Sequence, residues 1–250
     1  MTLAMCNAAK VRPCLKPLDV SSDQAGAQRR HAVARWLLLV WVTLASGCAE
    51  YSRARQAMAA PYQPSNVHRA ESSLPRQIKR VGVLPVTTLT EEAVMEFGRE
   101  SLGPVLVEEL GRARLFEVVV ISPEELRAIT GRSAWSGEEK LPLDFFERLR
   151  EKLGLDAVLF ARLTQYRAYE PLSVGWRLKL LDTEEPRIVW AVDEVFDSRV
   201  PGVAAAARRF AAHLPAAGGE AEDVLSSPRR FGRYTASAVF ATIPGRAADP

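Results

Sequence analysis

Apolar and polar residues alternate with a readable period from residue 78 onward, and the period names the elements. In Ile78-Lys79-Arg80-Val81-Gly82-Val83-Leu84-Pro85-Val86, Val81 and Val83 fall on one face of an extended segment and Gly82 and Leu84 on the other, and Pro85 ends it. Leu102, Val105, Leu106, Val107 and Leu110 predict a helix over 101–113, with Pro104 in the first turn, where its missing N–H breaks no bond. Leu115–Ile121 is short, continuous and β-branched, as a buried strand is. Ser122-Pro123-Glu124-Glu125 reads as a capping box: Ser122 accepts from first-turn N–H groups, Pro123 fills the first helical position and Glu125 reaches back. This helix stops at Gly131. Another starts near Pro142, presents Leu143, Phe146, Leu149 and Leu153, and ends at Gly154.

Leu155–Leu163 then enters as a strand directly from a helix, as in a βαβ unit. Ser173–Asp182 and Arg187–Asp197 predict two more strands around a Thr183-Glu184-Glu185-Pro186 turn. Val174, Trp176, Leu178 and Leu180 share one face of the first, and Ile188, Trp190 and Val192 one face of the second. Val203–Ala212 reads as a helix, and Ser227-Pro228 caps a last one that ends near Ile243. Helices and strands alternate before the hairpin. The predicted fold class is α/β, a single mixed-sheet sandwich with helices packed on the sheet.

Upstream of residue 78 the pattern has another meaning. Arg29, Arg30 and Arg35 precede Trp36–Gly47, twelve uncharged residues, and the run closes on Ala45-Ser46-Gly47-Cys48. This is the layout of a bacterial lipoprotein export signal, and the run is shorter than the ~20 residues of a spanning helix. The expected processing is cleavage between Gly47 and Cys48 with acylation of Cys48. Two or more chains hold a protein stably, since each buried CH₂ contributes ~0.8 kcal/mol. The expected organisation is a removed leader over 1–47, a lipidated flexible tether over 48–77, a globular α/β domain over 78–244 and a disordered tail over 245–250. Ala49 follows the cysteine, which by enterobacterial sorting logic directs the protein to the outer membrane, facing the periplasm. Where that rule does not apply, the outer leaflet of the cytoplasmic membrane is the address.

Processing changes the charge. Residues 1–47 hold six of the 33 bases and two of the 30 acids, so the chain from Cys48 onward has 27 against 28. No bulk positive charge remains to argue for nucleic acid. Cys6 and Cys14 leave with the leader, so the mature chain keeps Cys48 alone and forms no internal disulfide.

Motifs for chemistry are sparse. The phosphate-binding pattern Gly-x-x-x-x-Gly-Lys does not occur. His68 and His213 have no neighbour at metal-ligand spacing. Ser133-Ala134-Trp135-Ser136-Gly137 lacks the nucleophile-elbow pattern, and the pairs Glu91/Glu92, Glu124/Glu125, Glu138/Glu139 and Glu184/Glu185 read as solvated or capping carboxylates. The expectation is no catalytic residue, no cofactor, no metal and no evident small-molecule substrate. Two segments carry interface chemistry. Tyr166, Arg167 and Tyr169 precede Pro171, and Arg229, Arg230 and Arg233 lie on one side of the last helix. The alternatives are a strand end covering the sheet for the first and a solvated helix face for the second.

Val81-Gly82-Val83-Leu84-Pro85, Leu115-Phe116-Glu117-Val118-Val119, and Leu153-Gly154-Leu155-Asp156-Ala157-Val158-Leu159, followed by Leu180-Leu181-Asp182 and Ile188-Val189-Trp190-Ala191, resemble the recurring core of one periplasmic superfamily. It comprises outer-membrane lipoprotein activators of penicillin-binding proteins, curli-secretion channel subunits and the amino-terminal domain of the Tol translocation protein. The resemblance covers residues 78–200 in outline and implies a non-enzymatic adaptor, regulator or assembly factor. Its partners would be the membrane, through acyl chains on Cys48, and an envelope protein such as a cell-wall synthase or transport machinery. Two alternatives stay open: a subunit of an oligomeric outer-membrane secretion channel, with Ser173–Asp197 as the inserting hairpin, and an envelope hydrolase.

Overall fold

A computed structural model describes residues 62–214 and 223–246. Gly47, Cys48, the leader and the first part of the expected tether lie outside the described residues, as do residues 215–222 and 247–250. Within them one sheet organises everything else. Its strands are β1 (Val67–Arg69), β2 (Arg80–Val83), β3 (Thr87–Thr88), β4 (Glu117–Val120), β5 (Ala157–Arg167), β6 (Ser173–Asp182) and β7 (Ile188–Asp197). The order is β1-β7-β6-β5-β2-β4, with β3 pairing β5 beyond the point where Pro85 interrupts β2. β2 runs parallel to β4 and β5, whereas β5, β6, β7 and β1 are joined antiparallel. The sheet is mixed, as the sequence pattern requires.

Five helices among the described residues cover it: α1 (Ala93–Arg112), α2 (Pro123–Thr130), α3 (Phe145–Leu153), α4 (Pro201–Ala212) and α5 (Pro228–Phe240). The chain leaves β2 for β4 through α1, then steps back past β2 to β5 through α2 and α3. Two crossovers of one hand that travel in opposite directions must lie on opposite faces. That is where the cores sit. One core joins Val81, Leu102, Leu106, Leu159, Trp176, Trp190, Val203 and Phe231 beneath α1, α4 and α5. The smaller one joins Leu84, Ile121, Leu126, Phe145, Leu149, Val158 and Phe160 beneath α2 and α3.

The hairpin β6–β7 is stitched to α5. Trp176 and Trp190 are fully buried, and each indole N–H needs a partner that water cannot supply. Trp176 Nε1 donates to Thr235 Oγ1 at 3.0 Å, and Trp190 Nε1 donates to Thr242 Oγ1 at 3.0 Å. Each hydroxyl in turn donates to a carbonyl three residues earlier, Gly232 O at 2.8 Å and Val239 O at 2.7 Å. The apolar face of Ser173–Asp197, the hairpin expected to insert in the channel alternative, is therefore occupied inside the domain.

Several expectations hold in detail. Ser122 Oγ accepts from Glu125 N at 3.1 Å, and α2 closes on Gly131 at φ 85°. α3 closes on Gly154 at φ 64°, a left-handed conformation that glycine adopts without strain. Four need correction. Helix α1 begins at Ala93, eight residues before the expected start, so Pro104 lies in its interior. Leu143 is fully exposed just before α3 and packs on nothing. A bulge opposite Leu180/Leu181 adds a residue to β7, so Val189 is buried with Trp190 while Ile188 is turned to the opposite face, beside Leu181.

The fourth correction moves the start and end of the fold. The expected tether reaches Gln77, yet order is present from Tyr62, whose hydroxyl donates to Glu194 Oε1 at 2.6 Å and whose ring meets Phe196 edge-on. β1 then pairs with β7 from Val67 to Arg69, and Leu74 is buried. The short segment has Tyr62, Val67 and Leu74 as widely spaced apolar anchors, too few to raise a periodic signal. At the other end Gly245 O accepts from Leu74 N at 2.9 Å, and Arg246 Nε donates to Leu115 O at 2.7 Å. Gly245 and Arg246 therefore belong to the fold rather than to the tail.

Thr235→Val keeps the volume of the side chain but leaves the Trp176 N–H unpaired in the core. The expected loss is about 1–3 kcal/mol in urea unfolding, with the tryptophan emission of the native state altered. Thr235→Ser, which keeps the acceptor, should lose less than half as much.

Candidate functional site

Two surfaces of the domain combine exposed side chains of the kinds that make contacts. They differ in what those side chains are already doing.

The first is the sheet face over β6 and β7 that α2 and α3 leave uncovered. Strand alternation brings Arg162, Arg177 and Lys179 out on this side, opposite Leu163, Trp176 and Leu178 on the buried one. The loop before α3 folds over them and delivers Glu138. Its carboxylate pairs with Arg162 at 2.8 Å and Lys179 at 3.2 Å, and accepts from Ser136 Oγ at 2.7 Å. Arg177 lies 3.9 Å from Glu138 and pairs at 2.7 Å with Asp193. Lys179 Nζ also donates to Gly137 O at 3.0 Å. Partial burial would raise the Glu138 carboxyl, but the bonds from Ser136 and Lys179 and the charges of Lys179 and Arg162 outweigh it and hold the group below its ordinary value. A hollow of about 300 Å³ beside this cluster is lined by Asn66, His68, Ala191 and Asp193 among others. The expected solvated pair Glu138/Glu139 is instead a clasp, since Glu139 accepts from Ser136 N at 3.1 Å and pairs with Arg132 at 2.8 Å. Its charges are spent on one another.

The second surface is an uncovered apolar end. Beginning α1 at Ala93 sets Val94 and Phe97 on the outside of its first turns, 45 % and 59 % exposed, whereas Met95 and Gly98 face in. Gly98 has a specific reason to be glycine: a Cβ there would lie 2.5 Å from Cγ of Tyr166, so only a bare backbone lets the helix settle on that ring. Phe97 then meets Tyr166 with ring centroids 6.4 Å apart. Leu89, half exposed, is held beside the same strand by its N–H to Leu163 O at 3.0 Å. Tyr169 projects past the strand end at 83 % exposure. Burial raises the Tyr166 phenol above its ordinary value, with the Ser101 side chain opposing and the nearby Tyr169 adding to the rise.

The residues expected from the sequence divide accordingly. Tyr166 is not a free anchor: it is 6 % exposed and forms the floor under Phe97. Tyr169 is free. Arg167 donates to Pro171 O and pairs with Asp197 at 3.4 Å, which locks the turn. Arg233 does not form a solvated face, because it reaches across to α1 and donates to the buried Glu109 at 2.7 Å. Burial nevertheless raises the Glu109 carboxyl, with the Arg112 charge opposing. Arg230 is half-buried and engaged, and Arg229 is exposed. Both segments pack on α1, Tyr166 under Gly98 and Gly232 against Leu102 one turn further on. Leu89, Val94 and Phe97 were missed, and the signal existed: Val94 and Phe97 stand at helical spacing, hidden by reading Pro104 as a first-turn residue.

A groove of about 600 Å³ runs along α1 beside the open edge of β4, lined by Val86, Pro104, Val107 and Val120. Among the described residues no group of His, Cys, Asp and Glu is spaced to hold a metal, and no helix is long and apolar enough to cross a membrane.

No family model and no curated protein matches the chain. Solved structures do show likeness. The PelC dodecamer from Paraburkholderia phytofirmans is 15% identical, over 56% of this chain and 91% of that one, with a TM-score of 0.35. Lipoprotein GNA1162 from Neisseria meningitidis is 17% identical over 47% and 79%, with a TM-score of 0.33. The LpoB C-terminal domain from Salmonella enterica is 11% identical over 57% and 90%, with a TM-score of 0.29. Likeness this distant carries neither partner nor assembly to this chain.

Glu138→Gln removes the charge that the clasp depends on. A carboxyl held below its ordinary value stabilises the fold above the ordinary carboxylate range, and that contribution disappears as pH falls through the folded value. With a third of the side chain in solvent, the expected loss at pH 7 is about 0.5–1.5 kcal/mol in urea unfolding. The difference from the parent protein should shrink toward zero in acid.

Proposed function

We propose that this chain is a lipid-anchored lipoprotein of the bacterial envelope that acts as a non-enzymatic adaptor, docking its folded domain on a protein partner. The observation that carries this reading is the apolar end made by Leu89, Val94, Phe97 and Tyr169. Exposed apolar residues occur singly on any surface, as Leu143 does here. Four of them grouped on a helix start, a loop and a strand end, over a buried tyrosine, are the composition of an interface centre. Aromatic side chains contribute large area for few frozen torsions.

Anchoring through Cys48 complements so small a surface. In this reading the leash is the 14 residues from Cys48 to Pro61, which precede Tyr62, the first described residue of the domain. Fully extended they reach ~45 Å, half the span that a tether to Gln77 would give. A leash of that length confines the domain to a thin layer at the membrane, where an effective concentration near millimolar raises modest affinity to useful occupancy. Cys48, the Gly47–Cys48 cleavage and the outer-membrane, periplasm-facing address belong to this proposal, as does a partner drawn from cell-wall synthesis or transport.

The test is site-specific photocrosslinking in cells, with the reactive group in place of Phe97 in one strain and of Leu143 in another. Position 97 is expected to give a discrete adduct with another envelope protein, and position 143 at least about tenfold less of it. Adducts only with further copies of the chain would favour an oligomeric channel subunit instead, and equal labelling at both positions would remove the interface.

A further inference from the structure

The apolar end has a charged frame, and its sign is one-sided. Glu91 and Glu92 are exposed immediately before α1, between Leu89 and Val94, and Glu170 is exposed next to Tyr169. Glu96 and Glu100 lie on the same helix turns. The bases nearby are committed. Arg99 serves both Glu96, at 2.6 Å, and Glu100, at 3.6 Å, and Arg167 is paired with Asp197. Among the described residues no cation pairs with Glu91, Glu92 or Glu170, in contrast to Glu138 on the sheet face, which has three bases within 4 Å. Their position near a helix start is favourable by itself, yet a helix N-terminus supplies only about half a positive charge. Two carboxylates exceed it fourfold, and Glu170 is not at a helix end. The surface is left with an apolar centre and an outward negative field.

Resting on the docking reading above, we infer that the occupant of this end is a protein segment with an apolar or aromatic anchor flanked by Lys or Arg. Charge complementarity selects it. A segment flanked by acids would meet like charge around the whole rim, and a second copy would bring Glu91, Glu92 and Glu170 against themselves across a twofold contact. An anionic lipid surface is repelled for the same reason. The anchor would pack against the exposed Phe97 and Tyr169, and the flanking bases would complete pairs that the domain leaves open. Rim pairs of this kind act on encounter rate and selectivity more than on final affinity, so their contribution depends on salt.

Three fluorescein-labelled peptides sharing one Trp-Leu-Phe anchor, flanked by Lys, Ser or Glu, test this by anisotropy against the full mature chain in a neutral detergent. The Lys-flanked peptide is expected to bind about tenfold or more tighter than the Glu-flanked one at low salt, with the gap narrowing at high salt. The triple variant Glu91→Lys, Glu92→Lys, Glu170→Lys should reverse the order, and being wholly on the surface it tests charge without disturbing the core. Phe97→Ser with Tyr169→Ser should weaken all three peptides, and Leu143→Ser none. Equal binding of the three peptides overturns the charge inference and leaves the docking reading standing. Peptide binding that ignores Phe97→Ser with Tyr169→Ser overturns the docking reading itself. Binding of none of the peptides, self-association abolished by Phe97→Ser, or tighter binding to anionic vesicles than to the Lys-flanked peptide each overturns the proposed occupant.

Discussion

Two indole N–H groups, sealed in the core, set the terms for the whole domain. Trp176 and Trp190 bring the largest apolar surfaces of the hairpin inside, and each carries a donor that costs about 1–3 kcal/mol if left unpaired. Thr235 and Thr242 satisfy them from α5, seven residues or about two helical turns apart, the second just past the helix end. A hydroxyl that both accepts from an indole and donates to its own helix has no freedom left. The spacing of the threonines and the pairing of the strands must therefore agree, which fixes α5 in register on β6 and β7. Fixing α5 positions α1, because Gly232 sits against Leu102 and Arg233 reaches Glu109. Placing α1 presents Phe97.

The same chain of constraints explains why one surface is available and another is not. On the sheet's second face the half-buried bases are neutralised in place by Glu138 and Asp193, and the loop carrying Glu138 is held down by them. Such a clasp gives stability to a loop. At the start of α1, among the described residues, no cation pairs with Glu91, Glu92 or Glu170, and Leu89, Val94, Phe97 and Tyr169 are exposed. Phe97 has Tyr166 beneath it and solvent above, held there by a glycine that no larger residue could replace without moving the ring. The apolar and acidic groups left open at that end are what the proposed docking reading rests on.

Much of this frame was legible in the sequence. Alternation over Val174–Leu180 marked the buried face of β6 because a strand half in the core has a strict period of two, and Ser122, Gly131 and Gly154 marked helix ends because capping geometry restricts residue type. What escaped was whatever depends on partners distant in sequence. Pro104 suggests a helix start by local logic, but packing on β5 and α5 extends α1 past it, and the lost turns contained Val94 and Phe97. β1 has three residues and no pattern of its own; β7 and Glu194 define it. The bulge at Val189 inverts one residue of an otherwise regular strand, which no periodicity can announce. Tyr166 and Arg233 were recognised as interface chemistry, and that chemistry is used internally, since an aromatic or an arginine serves a core edge as well as a partner.

A docking end this small gains useful occupancy only when the domain is held close to what it binds, so in the proposed function acyl chains on Cys48 would matter as much as Phe97. Intact-mass measurement of the protein extracted from native membranes examines that dependence most directly. The predicted product starts at Cys48, lacks residues 1–47 and is heavier than its sequence by two or three acyl chains. A product with an unmodified residue 48, still joined to Gly47, would contradict the anchored docking function proposed for this domain.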